Sequence, residues 1–261
     1  MIIFIIPSYN EEENIGVLLD NTKKKMGEME YDYKVIVVND GSTDATKEII
    51  ESFKDQMPVE IITHYPNKGV KETLKVGFEA ALKMADDNDI IITKEADNTS
   101  DLNILDAMIK KINKGNDVVL ASCYAKNGRI ENASWYRLLL SSCANLILKI
   151  FFYIPEVNTF SSFYRAFNAG QFKKAFLAYE RKLLTQDGYV CVVEMLVKLS
   201  KLPLKITEVP MTLYCDRRKD ASKMKVWQTI LGYFKLIWCA LWRERKFENE
   251  ALRRFKSFSK K

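Results

Sequence analysis

The sequence predicts an α/β fold in which a mixed, mostly parallel Rossmann-like sheet is flanked by helices. Short β-branched runs alternate with longer segments of helical period, which is the pattern of consecutive βαβ units. Two of these runs, residues 2–6 and 34–39, are almost continuously apolar, as expected of strands buried on both faces. The 261 residues, 48% of them hydrophobic, suit one large domain, alone or with an appended segment.

Hydrophobic periodicity places the individual elements along the chain. Strands are predicted near residues 2–6, 34–39, 58–63, 89–93, 117–121 and 205–211. Helices are predicted over residues 11–26, 43–55, 69–86 and 101–114, and helical patterns dominate beyond residue 132. We therefore divide the chain into an α/β catalytic domain over residues 1–215 and a loop with a basic amphipathic helical tail over residues 216–261.

The composition indicates in which cell compartment the protein is expected and what kinds of partner it binds. The five cysteines lie far apart and form no CxxC pair, which argues against a disulfide framework and a zinc site and favours a reducing cytosol. The first residues lack a basic segment before their short apolar run, and no apolar stretch approaches the ~20 residues that span a bilayer. Much of the basic excess lies beyond residue 215 and suits an anionic surface. We expect a cytoplasmic protein that is peripheral at the cytoplasmic face of a membrane and has no nucleic-acid partner, and a homo-oligomer stays open.

Polar clusters directly follow three of the predicted strands. Because ligands of open α/β sheets bind beyond the carboxyl ends of the strands, these clusters are the first candidates for a site. The single histidine, His64, leaves no material for a serine-type triad or a histidine metal site. The clusters are PSYNE at residues 7–11, NDGSTD at 39–44 and KEADNT at 94–99.

In the order and spacing of its motifs the chain resembles the family 2 glycosyltransferases of the GT-A fold. Within them it is similar to the dolichyl-phosphate mannose synthases and polyprenyl-phosphate glycosyltransferases. The resemblance implies inverting transfer of a sugar from a UDP- or GDP-sugar to a polyprenyl or dolichyl phosphate at a membrane surface. Its segments are PSYNEEENI at 7–15, VVNDGSTDAT at 37–46, NKGVKETLKVGFEAA at 67–81, EAD at 95–97, FSSFYRAF at 160–167 and EVPMTLYCDRRKDASKM at 208–224.

Asp40 is the candidate for recognition of the nucleotide base. Placed after a buried strand, its carboxylate can accept a ring N–H of uracil or guanine. The alternative is that NDGST is only a turn that caps a helix. The resemblance assigns further residues to the donor, namely Pro7, Tyr9, Glu11, Lys68 and Ala96.

Glu95 and Asp97 are the candidate metal ligands. They flank one small residue, so in extended backbone both carboxylates face the same way and can hold Mg²⁺ or Mn²⁺ against a diphosphate. By resemblance this is the family's Asp-x-Asp motif with Glu95 in place of the first Asp, and Thr99, where relatives carry Gln, supplies a further oxygen. The bound cation would neutralise charge on the leaving nucleoside diphosphate, which makes Asp97 a catalytic residue. A solvated acidic turn is the alternative.

A phosphate acceptor changes what the site must supply. With a second pKa near ~6, a phosphate monoester is largely dianionic at pH 7 and needs no general base, so positive charge is required instead. By resemblance, Arg137 with Ser141 binds the lipid phosphate, and Cys123 stands where relatives often carry Arg. Each basic residue taken alone can be a solvated surface charge. The remaining candidates are Arg165 for the acceptor phosphate and, by resemblance, Arg217, Ser222 and Lys223 in a loop that closes over donor and acceptor.

Two features allow a structural reading as well as a functional one. Asp187 occupies the region where relatives carry an acidic residue near the sugar or acceptor, but it can also be a helix N-cap. The apolar stripe of residues 227–241 can lie in lipid headgroups, or pack on the core or on a second copy. Two other functions stay open for the chain, transfer to a saccharide hydroxyl and a weakly active nucleotide-binding scaffold.

Overall fold

The computed structural model describes residues 1–218, 226–242 and 245–258. Its main sheet has the order β3-β2-β1-β4-β7-β5-β8, and β6 pairs with β9 in a small second sheet. All six predicted strands are found. The strands are β1 (Ile2–Ser8), β2 (Tyr33–Asn39), β3 (Val59–Thr63), β4 (Ile90–Thr93), β5 (Val118–Ser122), β6 (Arg129–Glu131), β7 (Arg165–Asn168), β8 (Ile206–Pro210) and β9 (Thr212–Tyr214).

Helices cover both faces of the main sheet, in agreement with the predicted α/β class. The second predicted helix is shorter than expected, because residues 43–45 form part of the turn after β2. The α-helices are α1 (Glu12–Gly27), α2 (Thr46–Glu51), α3 (Val70–Met84), α4 (Leu105–Asn113), α5 (Trp135–Phe151), α6 (Ala169–Tyr179), α7 (Val190–Ser200), α8 (Val226–Trp242) and α9 (Arg245–Phe258).

The central strand β1 sets where the site lies. It pairs in parallel with β2 on one side, with Ser8 opposite Asn39, and with β4 on the other, with Ile5 opposite Thr93. The carboxyl ends of the three strands therefore reach one edge of the sheet, and the polar clusters that follow them meet there.

Strand β7 makes the sheet mixed. It runs antiparallel to both β4 and β5 and lies between them. The sequence does not predict this strand, since four residues carry too short a pattern to be recognised as a strand.

The C-terminal helices pack on the α/β unit. Helix α8 contacts α5 and α7, and α9 contacts α6. Leu236 and Phe255 are buried in the same hydrophobic cluster as the sheet residues Ile3 and Val118. Across the described ranges, no helix is both long enough and apolar enough to cross a membrane.

Candidate donor and metal site

A cavity of about 910 Å³ opens at the carboxyl ends of β1, β2 and β4. Its other walls come from the start of α3, the segment before α7 and the first turns of α8. Eight of the predicted site residues line it: Pro7, Tyr9, Glu11, Asp40, Glu95, Ala96, Asp97 and Asp187. The polar strand ends that the sequence singled out thus converge on one pocket, and the two aspartates at the tips of β2 and β4 do not open onto separate surfaces.

Asp40 is held by three protein donors. Its Oδ1 accepts the Lys68 N–H at 2.9 Å, and its Oδ2 accepts the Gly69 N–H at 2.7 Å. His64 Nδ1 lies 2.8 Å from Oδ1 and must donate, because a carboxylate only accepts. Gly69 has a φ of +84°, which glycine adopts without strain, and it precedes α3, whose N-terminus favours a negative charge. Lys68 contacts Asp40 through its backbone, and its side chain is exposed.

Asp97 is buried, and a cationic side chain of the protein contacts its carboxylate. Its Oδ1 accepts the backbone N–H and the hydroxyl of Thr99, at 3.1 and 2.7 Å. Its Oδ2 accepts from the Arg218 guanidinium. Glu95 also lines the cavity, and its Oε2 accepts the Ser100 hydroxyl at 2.9 Å. Thr99 therefore donates to Asp97 here and is not among the residues that line the cavity.

The residues present fit a divalent cation shared with a diphosphate. The guanidinium of Arg218 shows that a positive charge can reach the Asp97 carboxylate inside the cavity. Among the described residues, no three His, Cys, Asp or Glu side chains are grouped to hold a metal alone. Two carboxylates suffice for Mg²⁺ or Mn²⁺ when substrate phosphates and water complete the shell.

Asp187 lies at the cavity wall and is not a helix cap. Helix α7 begins at Val190 with Tyr189 as its N-cap residue, so the capping alternative is wrong. Its carboxylate is largely exposed and accepts from Lys71 Nζ at 2.6 Å. The hydrogen bond from Lys71 lowers the pKa of Asp187 below its ordinary value.

Glu194 fixes the segment that carries Asp187. It is fully buried on α7, and its Oε2 accepts the N–H groups of Thr185 and Gln186 at 2.7 and 2.8 Å. Its Oε1 lies 2.5 Å from Lys198 Nζ, which also donates to the Lys182 carbonyl at 2.7 Å. This buried pair therefore ties α7 to the segment on both sides of Thr185.

Arg165 is a correction to the predicted site. Its side chain is completely buried, and its guanidinium donates to three backbone carbonyls, those of Ser162, Val192 and Phe160. Burial lowers the pKa of this guanidinium to about 9. The prediction that Arg165 holds the acceptor phosphate is wrong, because the three hydrogen bonds of its guanidinium tie the start of β7 to α7 and to the segment before β7.

Neighbouring arginines are placed differently from the prediction. Arg217 is exposed, stacks on the ring of Tyr214 with 3.6 Å to its centroid, and lines a separate cavity of about 500 Å³. Its neighbour Arg218 enters the donor cavity instead. In sequence the two are indistinguishable, and only the direction of the chain after β9 decides between them.

The remaining acceptor candidates are Arg137, Ser141, Ser222 and Lys223. Arg137 lies in α5, and Ser141 on the same helix is exposed and accepts from the Tyr124 hydroxyl at 2.9 Å. Ser222 and Lys223 lie outside the described residues. A role of these residues at the acceptor stays a prediction.

Ser8 lines the site and Lys71 borders it, and neither was assigned a role, although Ser8 belongs to the polar cluster at residues 7–11. Ser8 lines the cavity, is 3% exposed, and its hydroxyl has no hydrogen-bond partner among the described residues. Because it lines the cavity, this hydroxyl can donate to or accept from a ligand that binds there. Its place at the end of an apolar run, before Tyr9, is the signal that could have found it.

An exposed apolar surface lies beside the cavity. Helices α5 and α8 are in contact, and both turn large apolar side chains to solvent. Trp135 on α5 is 76% exposed and Trp227 on α8 is 77% exposed. We call this the α5–α8 surface. Its exposed residues are Trp135, Tyr136, Leu139, Leu140, Leu146, Ile150, Phe151, Trp227, Leu231, Phe234 and Trp238.

Known proteins resemble this chain in sequence. The dolichol-phosphate mannosyltransferase of Pyrococcus furiosus is 30% identical over 94% of this chain, which spans 64% of that protein's length. The polyprenol monophosphomannose synthase of Mycolicibacterium smegmatis is 23% identical over 84% of this chain and 79% of the relative.

Known structures share its fold. The glucosyl-3-phosphoglycerate synthase of Mycobacterium tuberculosis, crystallised with Mn²⁺, UDP and phosphoglyceric acid, matches 91% of this chain and 78% of its own with a TM-score of 0.60 and 16% identity. The family model of glycosyl transferase family 2 matches residues 3–179, which include β1, β2, β4 and the aspartates at their tips. Sequence, fold and site agree, and the chain belongs to glycosyl transferase family 2.

Proposed function

We propose that this chain transfers a sugar from a nucleotide diphosphate donor to a polyprenyl or dolichyl phosphate at a membrane surface. The observation that carries the proposal is the single cavity that joins Asp40, the pair Glu95 and Asp97, and Asp187. The names of the two relatives support a lipid-phosphate acceptor for this chain as well. We also infer inversion at the anomeric carbon, which the resemblance implies.

The donor would lie along the strand tips. Its base would contact Asp40, and the ring of Tyr9, which lines the same cavity, can cover the nucleoside. Its diphosphate would reach Glu95 and Asp97, which would hold the divalent cation there. When bound, the cation stabilises the negative charge that develops on the leaving nucleoside diphosphate.

The transfer itself needs one nucleophile. An oxygen of the acceptor phosphate attacks the anomeric carbon, the new C–O bond forms, and the bond to the donor's diphosphate oxygen breaks with its electron pair. An acceptor phosphate is already ionised at pH 7 and needs no general base, whereas a saccharide hydroxyl needs one. Lys71 Nζ donates to the Asp187 carboxylate at 2.6 Å.

The lipid chain would lie on the α5–α8 surface. Helix α8 contributes Gln228, Leu231 and Lys235 to the cavity wall, while Leu231, Phe234 and Trp238 face solvent. One helix thus borders both the cavity and the exposed apolar face. Tryptophans on such a face suit the headgroup layer of a membrane.

A transfer assay tests the proposal. The chain is incubated with a panel of nucleotide sugars, Mg²⁺ or Mn²⁺, and a polyprenyl phosphate in detergent. Formation of a prenyl-phosphate sugar supports the proposal, and transfer to saccharides alone would replace it with glycan synthesis. Binding of nucleotides without turnover on any acceptor would indicate a scaffold.

A liposome flotation assay tests the membrane-facing part separately. Replacing Trp227 and Trp238 on the exposed face with Ser should reduce flotation with anionic vesicles, because less apolar surface is buried in the headgroup layer. The same change at the exposed Tyr65, far along the chain on the loop after β3, serves as the matched control. Equal flotation of all three proteins would remove the α5–α8 surface from the membrane.

A further inference from the structure

The loop that carries the two candidate metal ligands lies between two cavities. Glu95 and Asp97 line the donor cavity, whereas Lys94 lines the smaller cavity of about 500 Å³ beside α1. We call residues 94–100 the metal loop. The Lys94 side chain is only 1% exposed, so the metal loop begins with a cation that is held inside the protein.

Lys94 closes the metal loop on itself. Its Nζ donates to the Ser100 carbonyl at 2.9 Å, which joins the first residue of the loop to the last. The ammonium also lies over the ring of the buried Tyr164, 4.5 Å from its centroid. Removing an ammonium from water is costly, and a carbonyl and an aromatic face offset part of that cost. The charge of Lys94 is thus directed at the metal loop and not at solvent.

Ser100 connects this contact to one of the metal ligands. While its carbonyl accepts from Lys94, its hydroxyl donates to Oε2 of Glu95 at 2.9 Å. Ser100 is 3% exposed and forms a β-bridge with Leu213, so it is also held from the side of β9. A hydrogen bond to one carboxylate oxygen fixes the orientation of the group and leaves the other oxygen available for a cation.

A glutamate ligand gains more from such support than an aspartate would. Glu95 stands where the resemblance expects Asp, and its side chain has one more rotatable bond. Binding a cation orders that bond at a cost in side-chain entropy. A carboxylate that is already held in place pays less of this cost when the cation binds.

We propose that Lys94 is a positioning residue for the metal ligand Glu95 and acts on it through Ser100. The inference rests on the proposed function, since it takes Glu95 to bind the divalent cation of a nucleotide-sugar complex. Removing an outer contact that orients a metal ligand lowers metal affinity or activity by about 10- to 100-fold. The loss should therefore be measurable as weaker metal binding, without any acceptor.

Titration with Mn²⁺, followed by electron paramagnetic resonance, tests the proposal. The full chain is titrated in the presence of UDP and, in a parallel series, of GDP. Lys94→Met removes the ammonium and keeps the length of the side chain, and it should weaken Mn²⁺ binding by about 10-fold or more. Unchanged or tighter binding would overturn the proposal, because the ammonium would then act only as a nearby positive charge or not at all.

The same substitution at Lys25 is the matched control. Lys25 lines the same smaller cavity as Lys94, but its Nζ pairs with Asp106 on α4. Lys25→Met therefore removes a positive charge from this cavity without releasing the metal loop. Its Mn²⁺ affinity should stay within about twofold of the parent, since solvent screens a partly exposed charge.

A double-mutant cycle tests the route through Ser100. Ser100→Ala removes the hydroxyl that holds Glu95 and keeps the carbonyl that accepts from Lys94, so it should also weaken Mn²⁺ by about 10-fold. Contacts that act in series are not additive, so the double variant should bind about as weakly as the weaker single variant. Effects that multiply would overturn the proposal, because Lys94 would then act by another route.

Hydrogen exchange of the metal-free protein gives a readout that is independent of the cation. The Tyr214 N–H donates to the Thr99 carbonyl at 2.8 Å, next to Ser100 in the metal loop. Lys94→Met should speed the exchange of this amide, because the loop is released at its last residue, and Lys25→Met should not. Equal exchange in the parent and in both variants would show that Lys94 does not hold the loop.

The outcomes separate this inference from the proposed function. If Mn²⁺ binding weakens as expected but no acceptor receives sugar, the support of Glu95 stands and the proposed transfer fails. If transfer occurs but the parent chain binds no Mn²⁺ with either nucleotide, the inference fails and the transfer stands. If circular dichroism shows that Lys94→Met does not fold, Ser100→Ala decides, and unchanged Mn²⁺ binding in that variant overturns the proposal.

Discussion

Asp40 and Asp97 lie at the ends of strands that flank β1, and each is 4% exposed, yet their charges are compensated in opposite ways. Asp40 is held by two backbone N–H groups and His64, all within 29 residues of it in sequence. Asp97 has Thr99 beside it, but its cation comes from Arg218, 121 residues away.

The difference matches what each carboxylate has to do. Backbone donors are fixed by the fold, so Asp40 is preorganised and presents a constant surface to a ligand. A side-chain cation can leave, so the charge on Asp97 can pass from Arg218 to a divalent cation without unfolding anything. The tip of β2 is thus suited to recognition, and the tip of β4 to exchange of a positive charge.

The largest expected effect comes from removing the charge at the tip of β4. Asp97→Asn should lower metal-dependent turnover by about 10³-fold, because the cation's stabilisation of the leaving group is worth several kcal/mol. Initial rates of sugar transfer measure this, and circular dichroism checks folding. A rate within tenfold of the parent would show that Asp97 does not hold the cation.

The same substitution at the tip of β2 should act on binding instead. Asp40→Asn should weaken the binding of UDP by about 10- to 100-fold. It should also lower the free energy of unfolding by about 1–3 kcal/mol, since one carboxylate oxygen that accepts an N–H of residues 68–69 is lost. Calorimetry and denaturant unfolding measure the two effects. If affinity is unchanged while stability falls, Asp40 has only the turn role.

Replacing Arg218 tests whether its guanidinium and a metal ion compete for Asp97. Arg218→Gln should strengthen Mn²⁺ binding in the absence of donor by about two- to fivefold, because the metal no longer competes with a guanidinium for Asp97. Electron paramagnetic resonance of free Mn²⁺ reports this directly. Arg217→Gln is the matched control, as Arg217 stacks on Tyr214 outside the donor cavity and should leave the affinity unchanged.

The smallest expected effect concerns the exposed carboxylate of Asp187. Lys71→Met should raise the pKa of Asp187 towards its ordinary value, since the hydrogen bond from Lys71 holds it down. Because the folded pKa is lowered, the pair stabilises the protein above the unfolded value of ~3.9 and the contribution is lost as pH falls through the folded pKa. Carboxyl NMR titration measures the change, and an unshifted titration would contradict the pairing.

Sequence patterns were sufficient to predict which residues meet at the carboxyl ends of the parallel strands. The parallel strands are long apolar runs, and a parallel sheet brings their carboxyl ends to one edge, so Asp40, Glu95 and Asp97 could be placed together without coordinates. The hydrogen bonds that hold Asp40 could not be predicted from the sequence. Its donors are backbone groups of Lys68 and Gly69, and backbone bonds leave no mark in a residue pattern beyond the glycine.

The residues proposed for the acceptor were harder to predict. The prediction for Arg165 was wrong because β7 is too short to be recognised in the sequence. Without that strand, nothing in the sequence indicates that the arginine side chain is buried. Arg218 was missed since choosing between two adjacent arginines requires the path of the chain. Apolar residues make up most of α5 and are not confined to one helical face, so the sequence pattern does not tell which of them meet solvent.

The ion pair between Glu194 and Lys198 limits how this protein can be altered. The buried Glu194 carboxylate on α7 holds the segment around Asp187, so this segment is not an independent module that can be grafted elsewhere. An exchange of residues 185–189 that displaced the N–H groups of residues 185 and 186 would remove two donors from the buried Glu194 carboxylate, at a cost of about 1–3 kcal/mol for each. Acceptor range in this scaffold should therefore change by replacing the segment and its helix together.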